Sequence, residues 1–458
     1  MENRCAIILA AGDGKRMKSA GPKVLCKVLF EPMISWVLDA CEQSGIRKIC
    51  TVVGTGADEV LAVLPEGTEH ALQQERRGTG HAVGCASDFI RRNGGDVLIL
   101  YGDAPFVTPQ VIEEAYALHQ AEGCDATVIT ARVPHPTGYG RIVRKDGRFA
   151  AIVEQRDADD QTLAINEINS GFYWFKAERL LWALERLTCH NAAAEYYLTD
   201  TLSLLMEAGG RCEACCVADP MVVEGANDRR GLAQLNELAR RRRLEELLDA
   251  GVDIPLSDGI LIGRHVTVGP DTTLLPGTVL RGKTLIGAGC TIGPNSVLED
   301  AVIGDGCEVR STYITQSVLE DHIFIGPFSN VRPGSRIGAG CKIGNFNEIK
   351  NAVIGENTKM AHLSYCGDAD VGSRVNFGCG TVVVNYDGVK KHRTTIGDDA
   401  FIGCNTNLVA PVKVGNGAYT AAGTTVTQDV PDDALSIGRC RDVVKEGYAA
   451  QLREKFKK

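Results

Sequence analysis

Leu285-Ile286-Gly287-Ala288-Gly289-Cys290-Thr291-Ile292-Gly293-Pro294 holds two aliphatic-Gly pairs six residues apart, and the same pair recurs through the second half of the chain. Ile262-Gly263 and Val268-Gly269 precede it, and Ile303-Gly304, Ile325-Gly326, Ile337-Gly338, Ile343-Gly344 and Ile354-Gly355 follow. Val371-Gly372, Ile396-Gly397, Ile402-Gly403 and Val414-Gly415 extend the series. Neighbouring pairs are mostly spaced by six or close multiples of six, which is the signature of a parallel β-helix of hexapeptide turns. The aliphatic residue points into a prism-like core, and Gly tolerates the turn that follows. Two places break the rhythm. Between Gly378 and Gly397, Asn385-Tyr386-Asp387-Gly388 and the basic residues after it predict an extruded loop, the kind of element that carries function on a rigid scaffold. After Pro431 the repeat is lost, which predicts a cap or an irregular extension.

Upstream of the repeat, Asp228 to Ala250 has the pattern of one long amphipathic helix, with Gly251 just past its end. Its Arg240 to Arg243 run reads as a solvated face beside an apolar stripe of Leu232, Leu235, Leu238, Leu244, Leu247 and Leu248. The segment before it alternates strand and helix signals. Cys5 to Ala11, Lys48 to Val53 and Asp96 to Tyr101 are short apolar runs, while Met33 to Gln43 and His81 to Arg91 have helical spacing. This rhythm predicts a Rossmann-like α/β domain with a mostly parallel sheet and ligands at the carboxyl ends of its strands. The expected organisation is an α/β domain over 1–227, a linker helix over 228–250 and a β-helix domain with its extension over 251–458.

Composition narrows the class. At 458 residues the chain is too long for one typical core. A net charge of −9 argues against a nucleic-acid partner, which would need a basic face. The apolar stretch Ala6 to Ala11 is too short for a signal peptide, and no segment approaches the length of a membrane span. Seventeen scattered cysteines suit a reducing compartment, so a cytoplasmic protein is expected. Cys212-Glu-Ala-Cys215-Cys216 has metal-like spacing but no second pair to match it. Cys212, Ala214 and Cys216 read better as one face of a buried strand.

Leu9-Ala10-Ala11-Gly12-Asp13-Gly14-Lys15-Arg16-Met17 follows the first strand, with Pro22-Lys23 downstream. It lacks the Gly-Lys-Ser/Thr ending of a P-loop and the third Gly of the dinucleotide fingerprint. Gly N–H groups can nevertheless approach a triphosphate, and Arg16 and Lys23 bring positive charge to the same oxygens. Tyr101-Gly102-Asp103 then ends a strand with a carboxylate, which is either a turn-forming Asp or a hard oxygen ligand for Mg²⁺ beside substrate phosphates.

Together these residues resemble the sugar nucleotidyltransferases, with Lys15 standing where that family has Thr. Further matches are Gln73, Gly78-Thr79-Gly80-His81, Gly138-Tyr139-Gly140-Arg141, Val153-Glu154, Glu167-Ile168-Asn169-Ser170-Gly171 and Val223-Glu224-Gly225-Ala226-Asn227. With the repeat attached, the chain is similar over nearly its whole length to the bifunctional uridyltransferase–acetyltransferases of bacterial cell-wall precursor synthesis. The resemblance implies a left-handed β-helix, a homotrimer, and the substrates glucosamine-1-phosphate, N-acetylglucosamine-1-phosphate, UTP and acetyl-CoA. It also implies that Leu9 to Gly12, Lys23, Tyr101 and Gly102 contact the nucleotide. Gln73 and Gly78 would read uracil, Thr79, Gly140, Glu154 and Asn169 would hold sugar and ribose, and Asp103 and Asn227 would bind Mg²⁺.

For the β-helix, acetyl transfer to an amine needs an unprotonated nucleophile, and His362 in Met360-Ala361-His362-Leu363-Ser364-Tyr365 is the base candidate. Coils of about three hexads would stack residues near eighteen apart, and the Lys350–Tyr365 and His362–Asn376 spacings are loosely compatible with stacking. The resemblance implies that Arg332 and Lys350 clamp the sugar phosphate and that Tyr365 and Asn376 hold the sugar. It sets Asn385, Tyr386, Cys404, Ala422 and Arg439 along the acetyl-CoA groove, with Cys404 where the family commonly has Ser. One alternative is a monofunctional sugar-1-phosphate nucleotidyltransferase whose β-helix is structural or regulatory, and another is a binding scaffold with a decayed first site. A passive scaffold has no need of His362, Tyr365, Asn376 and Asn385-Tyr386, and a decayed site would not keep Arg16, Lys23, Asp103 and Asn227.

Overall fold

The computed structural model describes residues 3–457 other than Asp13, Ala20, Ala192, Ala193 and the Lys15 side chain. The chain forms two compact units, Met1–Ala239 and Arg240–Lys458, and the division falls inside one helix, Arg229–Asp249. Asp228 starts that helix by accepting from the backbone N–H groups of Arg230 (3.0 Å) and Gly231 (2.9 Å), and Gly251 ends it in the left-handed region at φ +86.

The first unit is built on strands β1 (Arg4–Leu9), β2 (Ile49–Val53), β3 (Glu69–Leu72), β4 (Asp96–Tyr101) and β5 (Ala126–Arg132). A hairpin of β6 (Arg141–Lys145) and β7 (Arg148–Val153) follows, then β8 (Glu167–Lys176) and β9 (Cys212–Val217). The order β9-β5-β8-β4-β1-β2-β3 is parallel except at β8, which runs antiparallel to both neighbours. Strand β1 is a continuous apolar run because helices cover both faces. Ala6 and Ile8 pack with Ile34 and Val37, whereas Cys5 and Ile7 pack with Val83 and Phe89. Leu9 pairs with Tyr101, so the Gly-rich loop after β1 and the Gly102-Asp103 turn after β4 emerge side by side.

Two local expectations are corrected here. His81 to Arg91 is not one helix but two, Thr79–Cys85 and Ser87–Asn93, because the backbone leaves helical geometry at Ala86 (ψ 12). On β9, Cys212, Ala214 and Cys215 are buried but Cys216 is exposed, since β9 is the edge strand and its end is uncovered.

In the second unit the coils stack as three columns of parallel pairs, such as Leu261↔Val279, Thr267↔Leu285 and Thr273↔Thr291. Ile286, Ile292, Ile303, Ile325, Ile337, Ile343 and Ile354 form a continuous buried core, as the aliphatic-Gly pairs require. Leu244 and Leu247 cap its first coil. The basic run is less solvated than expected: Arg240 donates to the Ser257 carbonyl (3.2 Å) and Arg243 to that of Val266 (2.5 Å), anchoring the helix to the coil. One further strand, Leu435–Ser436, pairs beyond Pro431 before the exposed helix Tyr448–Lys455. No described helix is long and apolar enough to cross a membrane.

Candidate active sites

The first site lies at the carboxyl ends of β1 and β4. A cleft of about 420 Å³ is lined by Leu9 to Gly12, Gly14, Arg16, Lys23, Gln73, Gly78, Thr79, Tyr101, Asp103 and Asn227. A second lobe of about 590 Å³ adds Gly140, Glu154, Asn169 and Gly171, and shares Arg16, Thr79, Tyr101, Asp103 and Asn227 with the first. Gly102 is the one predicted residue that lines neither lobe; its amide donates to the Leu9 carbonyl (2.9 Å), so it shapes the floor. Lys15 departs from the family pattern in a side chain outside the described residues.

Lys23 joins the two carboxyl-end segments. Its ammonium forms an ion pair with Asp103 and donates to Asn227 Oδ1 at 2.8 Å. Two hard oxygens from residues far apart in sequence therefore converge on one cation position, which is what a divalent metal requires of its protein ligands. Gly14 has φ +57, and a Cβ there would stand 2.7 Å from Lys23 Cβ, so the loop must be bare where it crosses Lys23. Buried Gln73 donates to the Gly78 carbonyl (3.1 Å) and lies 3.1 Å from His81 Nδ1, fixing its amide at the cleft wall.

In the second lobe, Asn169 Nδ2 donates to Tyr173 Oη (2.7 Å) and its Oδ1 accepts from Gly171 N (2.9 Å). Burial raises the Glu154 carboxyl above its usual range, and Asp157 and Asp200 add to the shift. Burial likewise pushes the Tyr101 hydroxyl up, with Asp103 contributing, so Tyr101 stays neutral between the lobes.

The second site is spread over successive coils. Register pairs Arg332 with Lys350, Asn345 with His362 and Glu348 with Tyr365. The stacking inferred from spacing fails in detail: Lys350 lies over Gly367 rather than Tyr365, and Asn376 over Lys359 rather than His362. His362 is exposed, with Nδ1 3.4 Å from Asn345 Oδ1. The predicted loop is a hairpin, closed by the antiparallel bridge Tyr386↔Lys391 and by His392 N donating to the Asn385 carbonyl (2.8 Å). It brings up Lys391, which sequence reasoning missed. The Lys391 ammonium, partial burial and Arg332 push the Lys350 ammonium below its ordinary range, and Asp368 opposes them. Arg332, in register with Lys350, is itself ion-paired with Glu348 (2.8 Å), which leaves Lys350 and Lys391 as the cations available to a phosphate oxygen here. Asn385 is buried and donates to Tyr365 Oη (3.3 Å).

Cys404 and Ala422 are exposed on adjacent coils, joined where Gly423 N donates to the Cys404 carbonyl (2.8 Å). Arg439 lies beside Gly423, its Cδ 3.6 Å from where a Cβ would be. These three share an exposed strip of the coil, and Tyr386 is exposed on the hairpin.

Residues 6–165 match the MobA-like NTP transferase domain, and 259–300, 316–351 and 393–428 match the bacterial transferase hexapeptide (six repeats). The chain is 45% identical over 447 residues to the bifunctional protein GlmU of Clostridium acetobutylicum, covering 97% of this chain and 98% of that one. It is 46% identical over 453 residues to the protein of that name from a Geobacillus species, with 99% of each covered. It is 46% identical over 459 residues to that of Thermoanaerobacter pseudethanolicus, covering 100% of this chain and 99% of the relative.

Proposed function

Because the chain belongs to the family of bifunctional GlmU proteins, we propose a division of labour between its two units. It is a bifunctional enzyme of UDP-N-acetylglucosamine synthesis, a uridyltransferase and an N-acetyltransferase. The carrying observation is that each unit presents its own set of polar side chains, Lys23 bridging Asp103 and Asn227 in the first, and Arg332 in register with Lys350 and His362 with Asn345 on successive coils in the second.

In the first unit, Gln73 and Gly78 face the uracil, and Thr79, Gly140, Glu154 and Asn169 hold ribose and sugar. A phosphate oxygen of N-acetylglucosamine-1-phosphate attacks the α-phosphorus of UTP and pyrophosphate leaves. The reaction needs alignment and charge neutralisation more than a base, and Arg16 and Lys23 supply positive charge at the shared wall of the lobes. Asp103 and Asn227 would hold Mg²⁺, which would supply neutralisation of phosphate charge, and Lys23, on the same cleft wall, adds its own positive charge there.

In the second unit, Lys350 and Lys391, with Arg332 in register beside Lys350, clamp the phosphate of glucosamine-1-phosphate, and Tyr365 and Asn376 hold its ring. His362 accepts the amine proton as nitrogen attacks the thioester carbonyl, and the coenzyme thiol leaves along the strip of Asn385, Tyr386, Cys404, Ala422 and Arg439. Direct attack by the amine needs no enzyme nucleophile, so the Cys404 thiol is only a contact. The exposed ladder of Phe328, Phe346 and Leu363, with the two rings stacked at 5.7 Å beside His362, supports a homotrimer that buries it at the site. These metabolites assign the protein to the cytoplasm.

Glucosamine-1-phosphate, acetyl-CoA, UTP and Mg²⁺ are supplied together, and free thiol and pyrophosphate are measured separately. His362→Ala is expected to abolish thiol release and to leave pyrophosphate formation from N-acetylglucosamine-1-phosphate intact. Loss of both activities would show that His362 is structural.

A further inference from the structure

Asp368 has no direct part in the chemistry above, yet it sits at the junction of the phosphate clamp and the hairpin. It occupies a coil corner in the left-handed region (φ 51) and is only 8% exposed. Its Oδ1 accepts from Asn351 Nδ2 at 2.6 Å, and its Oδ2 accepts from Asn385 Nδ2 at 2.5 Å. Its backbone is tied to both sides of the site: Asp368 N donates to the Lys350 carbonyl (2.9 Å), and Thr394 N, just after the hairpin, donates to the Asp368 carbonyl (3.1 Å). Asn351, Asp368 and Asn385 follow at seventeen-residue steps, so a carboxylate lies between two amides.

We propose that Asp368 is a positioning residue for acetyl transfer, whose carboxylate sets the amide orientation of Asn385 and thereby the pairing of Asn385 with Tyr365. An ionised carboxylate only accepts hydrogen bonds, so both neighbouring amides must turn their NH₂ groups toward it. Asn385 then has its second N–H for Tyr365 Oη and its carbonyl directed elsewhere. Gly367 keeps this contact open: a Cβ there would lie 2.3 Å from Tyr365 Oη and 2.9 Å from Asn385 Nδ2. Burial alone would raise the Asp368 carboxyl, but the hydrogen bonds from Asn351 and Asn385, with Lys350 and Lys391 nearby, hold it below its usual range. With both oxygens engaged it is not placed to take the amine proton.

The role rests on the reading of this unit as the acetyltransferase. In Asp368→Asn the new oxygen can still accept from Asn351, but the new NH₂ faces the NH₂ of Asn385, and one amide must rotate. The value of kcat/KM for glucosamine-1-phosphate is expected to fall roughly tenfold or more, as for loss of a hydrogen bond to a charged group. Removing the carboxylate also leaves Lys350 and Lys391 less neutralised. Inhibition by glucose-1-phosphate, which has the phosphate but no amine, should therefore be unchanged or tighter. A merely structural role would weaken both together and lower the thermal midpoint. Should Asp368→Asn fail to fold, the pair Asp368→Asn with Asn351→Asp, which returns a carboxylate to the cluster and lets the new amide present its oxygen to Asn385, is expected to keep kcat/KM close to wild type, and a loss of roughly tenfold or more in the pair overturns the proposal. Wild-type kcat/KM in Asp368→Asn alone, or parallel loss of glucose-1-phosphate inhibition, overturns it too. Absence of thiol release by the wild-type enzyme would instead overturn the acetyltransferase reading.

Discussion

Gly171 offers a sharp test of how the first site is built. It lies in the bulge of β8, where register against β5 shifts between Asn169 and Tyr173, at φ +82. A Cβ there would stand 2.3 Å from Tyr101 Cε2 and 2.9 Å from Cδ2, whereas ordinary contact begins near 3.4 Å. In Gly171→Ala the ring must therefore retreat by about 1 Å, and misplacement on that scale can cost on the order of a hundredfold in rate. The left-handed backbone costs about 1–2 kcal/mol for a residue with a Cβ, and displacing a packed side chain about 1–3 kcal/mol, together about 2–5 kcal/mol. A unit of this size loses roughly 2–4 °C of midpoint for each kcal/mol, so its transition should fall by roughly 4–20 °C. Scanning calorimetry with pyrophosphate and thiol assays on one preparation measures all three quantities. Pyrophosphate formation should drop sharply while thiol release is unchanged. An unshifted transition with full pyrophosphate formation would refute the idea that a bare Gly171 seats Tyr101 between the lobes.

Chelation of divalent ions should abolish pyrophosphate formation and leave thiol release untouched, because only the first site has the Asp103–Asn227 oxygen pair; inhibition of both activities would argue against that assignment. Glu154→Gln should weaken uridyl transfer yet stabilise the first unit at neutral pH. The folded carboxyl has a pKa above 4.5, so its contribution is present below pH 4.5 and is lost as pH rises through the folded pKa; the gain in midpoint should vanish near pH 4. Lys391→Ala should raise KM for glucosamine-1-phosphate by about tenfold, as expected for loss of a charged phosphate contact, with KM for acetyl-CoA unchanged. An equal rise in both would place Lys391 outside the phosphate clamp.

Much of this was legible in the residues themselves. Aliphatic-Gly spacing predicts the β-helix because each pair obeys a local rule, one side chain inward and one tight corner after it. That the loop after Leu9 and the turn at Asp103 line one cleft was legible, because strand ends in a parallel sheet present their loops on one side. That Lys23 spans Asp103 and Asn227 is a fact of tertiary packing across 204 residues of sequence, which no local pattern encodes.

In the second unit the limit is register. Paired residues are eighteen apart in the first coil, as at Leu261↔Val279, shorten to seventeen at Leu285↔Val302 and to sixteen at Val297↔Tyr313, Val302↔Val318 and Glu308↔Phe324, and return to eighteen at Val318↔Arg336. A nominal period of eighteen therefore drifts by a residue or more, and a slip of one residue turns a side chain from core to solvent. Lys350 and Tyr365 were paired by such a drift, although Tyr365 lies over Glu348. The hairpin then adds a step of twenty-five residues, from Asp370 to Thr395, so no periodic rule could bring Lys391 to Lys350. The interruption that spoils the count is also what brings Lys391 over: a regular coil can present side chains only in fixed columns, and Lys391 reaches Lys350 because the hairpin has left them.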